Sequence, residues 1–182
     1  NQFQLPISSA YLEIDKGDGS GVEYHTNGNN IIITYSVGGV YKLKIKGAGQ
    51  FSTTPNNYRG DDDLKIVGLN NIGGFVFEAS FQTFRNCSNM TINTFDNLYL
   101  SSFSLCFMNC TSLITPPKMM SSAATTLSQT FQLTSLNADL GYMDLRRCTN
   151  MANFALSVTT WSTANYNASL MGWLRMEAGD TA

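Results

Sequence analysis

Phe84-Arg-Asn-Cys-Ser-Asn-Met90 recurs 23 residues later as Phe107-Met-Asn-Cys-Thr-Ser-Leu113. Each copy sets an aromatic ring, an Asn-Cys pair, a small hydroxyl residue and a long apolar side chain at fixed offsets. A third copy, Phe131-Gln-Leu-Thr-Ser-Leu136, starts 24 residues after Phe107 and has lost one position and the cysteine. Leu145-Arg-Arg-Cys-Thr-Asn-Met151 reads as a fourth, partial copy that restores it. Self-similarity at a period of about 20 to 29 residues marks chains whose units stack. One such unit cannot hide its apolar face alone, so neighbours share a continuous core. Stacking predicts an inward column of Phe84, Phe107 and Phe131 and another of Met90, Leu113, Leu136 and Met151. Cys87, Cys110 and Cys148 would fill a column suited to small apolar side chains. Asn86 and Asn109 fall where the chain must bend sharply, which Asn tolerates and supports with its amide.

Before Gly47 the texture differs, with strand-like runs alternating with turn clusters as in a small antiparallel sheet. Ala10–Asp15 leads into the turn Lys16–Gly21, Val22–Tyr24 into the loop His25–Asn30, and Ile31–Tyr35 into Ser36–Gly39. In Val40–Lys46 the period is two, placing Tyr41, Leu43 and Ile45 on one face and Lys42, Lys44 and Lys46 on the other. The three lysines are the candidate surface contact of this half. Ser52–Asp63, rich in Thr, Asn, Pro, Gly and Asp, reads as a loop, and Leu64–Val67 as a short strand.

Two family resemblances rest on these residues. Gly17-Asp-Gly-Ser20, Thr34-Tyr35, Gly38-Gly39 and the Tyr41-Lys-Leu-Lys-Ile45 strand resemble a polycystic-kidney-disease (PKD)-type β-sandwich module. Phe-x-Asn-Cys-[Ser/Thr]-x-[Leu/Met] resembles the repeat of BspA-like leucine-rich-repeat surface proteins, from about Leu64 to Met176. The resemblance implies a mainly β fold with short helices: a PKD-like or immunoglobulin-like β-sandwich over residues 1–50, then a short leucine-rich-repeat-like solenoid over 51–182. It also implies a closing helix at about 162–176. That helix has its own signals: Ser162 suits an N-cap, Trp161 a hydrophobic staple against Tyr166, and Tyr166, Leu170, Trp173 and Leu174 share a face.

Composition narrows function. Eleven Lys and Arg against thirteen Asp and Glu give a net charge of -2, too little positive field to grip nucleic acid. No apolar run approaches the roughly 18 residues of a transmembrane span. Ser, Thr and Asn number 18 each, so the surface is polar but sparsely charged. The chain starts at Asn1 rather than Met, which reads as a piece of a longer protein.

Chemistry is thin. His25 is the single histidine and falls in a loop-like stretch, and no Gly-x-Ser-x-Gly elbow surrounds any serine. Asp15 and Asp18 flank a tight turn without the twelve-residue calcium pattern, and Asp61-Asp62-Asp63 reads as a solvated loop run. Cys87, Cys106, Cys110 and Cys148 read first as buried thiols, with a disulfide or a zinc site as the other chemical options. The expectation is therefore no catalytic residues, no metal and no cofactor.

The BspA-like and PKD-like resemblance implies a non-enzymatic recognition or adhesion module, extracellular on a cell surface or virion. Its partner would be a protein or glycan on another surface, and it could act as an oligomer within a larger assembly. A phage virion fibre or appendage, or an accessory binding module of a secreted hydrolase, are the rival expectations.

Overall fold

The computed structural model describes residues 1–28, 31–51, 62–70, 75–77, 82–92, 97–100, 102–119 and 124–178. Most of the loop expected at Ser52–Asp63 lies outside them. The chain is mainly β with one helix at its C-terminal end. The strands are β1 (Gln2–Gln4), β2 (Ile7–Asp15), β3 (Val22–Gly28), β4 (Ile32–Thr34), β5 (Lys44–Phe51), β6 (Gly68–Leu69), β7 (Phe75–Phe77), β8 (Thr91–Ile92), β9 (Asn97–Leu98) and β10 (Lys118–Met119). The helix α1 spans Thr163–Glu177.

β2 is the spine of a four-stranded sheet of order β3-β2-β5-β7, antiparallel except for the β5–β7 pair. Its alternation decides which face is which: Leu12 and Ile14 are fully buried, while Tyr11 is exposed. β1 and β4 pair with each other, and their Ile33 joins Leu5, Ile7, Leu12, Ile14 and Ile31 in one apolar cluster. The turn after β2 needs left-handed backbone at Gly17 (φ 72°), where a Cβ would collide with the Lys42 carbonyl.

Two strands run further than local propensity indicates. β3 continues through His25, which pairs with Leu12, because cross-strand bonding to β2 outweighs the turn preference of Thr26-Asn-Gly. The strand expected at 40–46 begins at Lys44 and extends to Phe51. Gly47 (φ 130°), paired with Leu12, brings the β5 backbone close to β2; a Cβ there would sit 2.5 Å from the Tyr11 carbonyl oxygen.

Beyond β7 the repeated segments lie one on another. Arcs at 82–86, 105–109, 129–133 and 153–157, here termed rungs, each start and end on a residue of positive φ. The N–H groups of Gln82, Phe84 and Asn86 donate to Ser104, Cys106 and Met108 at 2.8 to 3.2 Å. Leu105, Phe107 and Asn109 donate in the same way to Ser128, Thr130 and Gln132, and Gln129, Phe131 and Leu133 to Ala152, Phe154 and Leu156. All nine bonds run from the earlier rung to the later one. Asn86 (φ 64°) and Asn109 (φ 63°) take the strained ends of their arcs, a conformation that Asn tolerates better than most residues.

The inward side chains form a ring stack. Phe84 and Phe107 lie 5.5 Å apart at 11°, and Phe107 and Phe131 5.7 Å apart at 2°. Phe154 meets Phe131 edge-on. Cys87, Cys110, Met90, Leu113 and Leu136 are all fully buried in the same cluster. Phe51 and Phe77 contact Phe84, so the sheet closes the first rung.

The fourth copy is not where the sequence echo puts it. Thr149 N–H donates to Thr125 and Leu127 N–H to Asn150, which sets Cys148 level with Ala124 and Met151 level with Leu127 and Phe103. Cys148 is half-buried and outside the Cys87–Cys110 column, and Met151 is outside the Met90–Leu113–Leu136 column. The true fourth arc holds Phe154, Ala155 and Val158, with Val158 in the cysteine position. Register along the backbone ladder, not the chance Cys-Thr-Asn-Met match, determines the alignment.

Ser162 caps α1 by accepting the Asn165 N–H, and Trp161 meets Tyr166 edge-on at 5.3 Å. The packing face is not the apolar stripe. Tyr166, Leu170 and Leu174 are exposed, whereas Ser169 is fully buried and Gly172 abuts the Gly141 backbone. Ser169 Oγ accepts the Leu140 N–H at 2.8 Å and Trp173 Nε1 donates to the Leu140 carbonyl at 2.9 Å. Small residues allow the close approach that these bonds need, and that outweighs burying the larger side chains.

Candidate functional site

The outer face of the main sheet carries the basic row. Lys44 Nζ lies 2.8 Å from Asp15 and Lys46 Nζ 3.6 Å from Glu13, each opposite its partner across the β2–β5 register. Lys42, before β5, is exposed. Lys44 is the main reason Asp15 is held below the usual carboxylate range. Two of the three lysines in the row are therefore paired within its own sheet. On the same face Tyr11 and Tyr24 are exposed, Tyr24 by 67%, with the Tyr11 hydroxyl donating to Glu13 at 2.9 Å. Sequence reasoning missed these tyrosines, although the parity that puts the half-buried Glu13 and Asp15 on the outer face puts Tyr11 there too.

The repeated half presents hydroxyls and amides. Thr111 Oγ1 donates to the Ser88 carbonyl, Ser135 Oγ to Thr111, Thr149 Oγ1 to Thr125 and Thr160 Oγ1 to Leu136, at 2.6 to 3.3 Å. Asn109 Nδ2 donates to Asn86 Oδ1 at 3.3 Å. Each hydroxyl spends its single proton on the preceding repeat, which leaves its lone pairs free to accept. The resulting surface is uncharged, ordered and rich in acceptors.

The residues weighed for catalysis and metal binding are dispersed. His25 stands in β3 with Glu23 Oε2 3.4 Å from its Nε2. Asp15 accepts the Gly17 N–H and Asp18 accepts both Ser20 N–H and Ser20 hydroxyl, which shapes the turn. The acidic run is not solvated as expected: Asp62 is buried, accepts the Gln4 N–H at 2.7 Å and pairs with Lys65, tying its helical turn to β1; Asp61 lies outside the described residues. All four cysteines are free thiols. Burial pushes the Cys110 thiol up to about 12, and Cys87 and Cys106 higher, so none of the three supplies a thiolate near neutral pH. Cys110 Sγ donates instead to the Phe84 carbonyl at 2.8 Å. Among the described residues no three His, Cys, Asp or Glu converge as a metal site, and no helix is long and apolar enough to cross a membrane.

Comparison with protein-family models, with curated proteins and with solved structures finds no match to this chain.

Proposed function

We propose that the chain is a non-enzymatic recognition or adhesion module displayed outside a cell or on a virion. In this reading, a PKD-like β-sandwich is followed by a short leucine-rich-repeat-like solenoid of the BspA type, closed by α1. Its partner is a protein or glycan on another surface. One observation carries the reading: successive repeats hold a regular row of Ser, Thr and Asn side chains bonded to the repeat before, with the hydroxyl oxygens left free to accept. Such a surface is rigid before binding and loses little side-chain entropy on contact. The aromatic rungs and protonated thiols serve the scaffold that holds it.

The test is a binding survey of the purified chain against extracellular-matrix proteins and cell-surface glycans. Saturable binding that falls when Thr111 and Ser135 are replaced by valine, with the fold intact by circular dichroism, supports the reading. Hydrolytic turnover that is lost on His25→Ala, without any saturable surface binding, overturns it.

A further inference from the structure

Two buried thiols from neighbouring repeats converge on one carbonyl. Cys87 and Cys110 hold the same position in the first and second copies, and both side chains are fully buried. The Phe84 carbonyl accepts the Cys87 N–H at 3.3 Å and the Cys110 thiol at 2.8 Å. Cys110 Sγ therefore reaches across from its own rung to the backbone of Cys87. The electrostatics of the thiol agree: burial raises it, and the Cys87 N–H, within bonding reach of Sγ, works against that rise. Cys87 Sγ itself makes a long 3.9 Å contact to the Arg85 carbonyl, a weak bond that little is lost by breaking. Backbones paired side by side lie about 4.8 Å apart, and the Phe84 and Phe107 rings of these two rungs are stacked at 5.5 Å. A disulfide bridges Cα atoms about 4.4–6.8 Å apart. Cys106, the third buried thiol, belongs to the same copy as Cys110 and lies against Thr83 and Phe84. A link from Cys106 to Cys110 would close a small loop within one copy and join no rungs.

We infer that Cys87 and Cys110 form a latent redox staple, a pair that a small-molecule disulfide oxidises to a bond locking the first rung onto the second. The step proceeds by exchange. One thiol, as its thiolate, attacks the S–S bond of the reagent, which breaks to release one small thiol and leave a mixed disulfide. The other thiolate then displaces the second small thiol. The two electrons and two protons given up by the protein pair end on the two released thiols. Burial gates the reaction. A thiol kept protonated and away from solvent exchanges slowly, so the first joint must part before the reagent enters. On reclosing, the ladder register sets the two sulfurs side by side again. The bond is thus made where the stack has been opened, and it holds the joint that opened. The device is independent of what the surface binds.

The probe is glutathione disulfide, applied to the whole chain carrying Cys148→Ser so that the half-buried thiol does not consume it. Products are identified by proteolysis and mass spectrometry. In urea well below the unfolding midpoint, the expected product is a Cys87–Cys110 link with Cys106 left as a thiol. Without urea it should form more slowly, by about tenfold or more. The linked residues are 23 apart, and closing a loop of that size should raise the urea midpoint by about 1 M, a gain that a reductant reverses. Cys106→Ser should leave the link and the gain unchanged, while Cys110→Ser should stop at a mixed disulfide with glutathione. If a variant does not fold, the peptide map of the chain with all three buried thiols decides. A chain that stays reduced over this urea range, oxidation as fast without urea, glutathione adducts that never close, a link through Cys106, or a link that fails to raise the midpoint would each overturn the inference.

Discussion

Phe107→Ala tests the ring stack at its centre. Phe107 is fully buried, with Phe84 on one face at 5.5 Å and Phe131 on the other at 5.7 Å, both nearly parallel to it. Truncating a buried Phe to Ala costs about 3–5 kcal/mol, and rings held from both sides by stacked backbone have little freedom to collapse into the gap. The expected loss is about 4 kcal/mol, a large share of the roughly 5–15 kcal/mol that stabilises a domain. With an m-value of about 2.5 kcal/mol per molar urea, the midpoint falls by about 1.5 M. Phe107→Leu keeps most of the volume but forfeits the ring contacts, and should lose about 1–2 kcal/mol. Urea unfolding followed by tryptophan fluorescence gives both values. A Phe107→Ala chain within 1 kcal/mol of the parent, at unchanged m, would show that these rings do not hold the rungs together.

Four further outcomes are expected. Thr130 and Thr83 are equivalent buried positions, but Thr130 Oγ1 has carbonyls of Leu127 and Phe103 within 2.9 Å while Thr83 Oγ1 has no such carbonyl among the described residues; Thr130→Val should cost about 1–2 kcal/mol and Thr83→Val less, by thermal melts. Gly172→Val forces a side chain into the Gly141 backbone, so α1 should lift and Trp173 emission shift to the red; an unshifted spectrum refutes the close packing. The thiol reagent DTNB should titrate Cys148 alone in the native chain and all four cysteines in denaturant, and fast reaction of a second native thiol would contradict the burial. Arg146 holds the Asp144 carboxyl down to about 2, so the pair's small stabilisation is complete above about pH 4 and fades as pH falls toward 2. NMR titration of Arg146→Ala should find the Asp144 carboxyl back near the ordinary range.

The first two copies were legible because Phe, Asn and Cys answer separate demands at the same offset: a ring for the core, a residue at ease with positive φ, and a small buried side chain. The fourth was not, because Asn153-Phe-Ala-Leu-Ser157 keeps the backbone of the arc while changing almost every side chain. Only the bonding register reveals it. The start of α1 was legible from Ser162 and Trp161, since a cap is a local event. Its buried face was not, because hydrophobic spacing does not report a close approach through Ser169 and Gly172. On the sheet face, period-two spacing found the lysines but not that Asp15 and Glu13 stand opposite them, which depends on the pairing of β2 with β5.

The stacking of each rung on the next alone bears on how the chain would respond to tension. A force drawing the C-terminal end away would load one joint at a time, each held by three amide bonds in its arc, further bonds beside it and a ring contact. The joints would part in series instead of together. Each parting frees a repeat of 23 or 24 residues, about 80 Å of contour at roughly 3.5 Å per residue. A tether built this way lengthens in steps under load and keeps its remaining rungs intact.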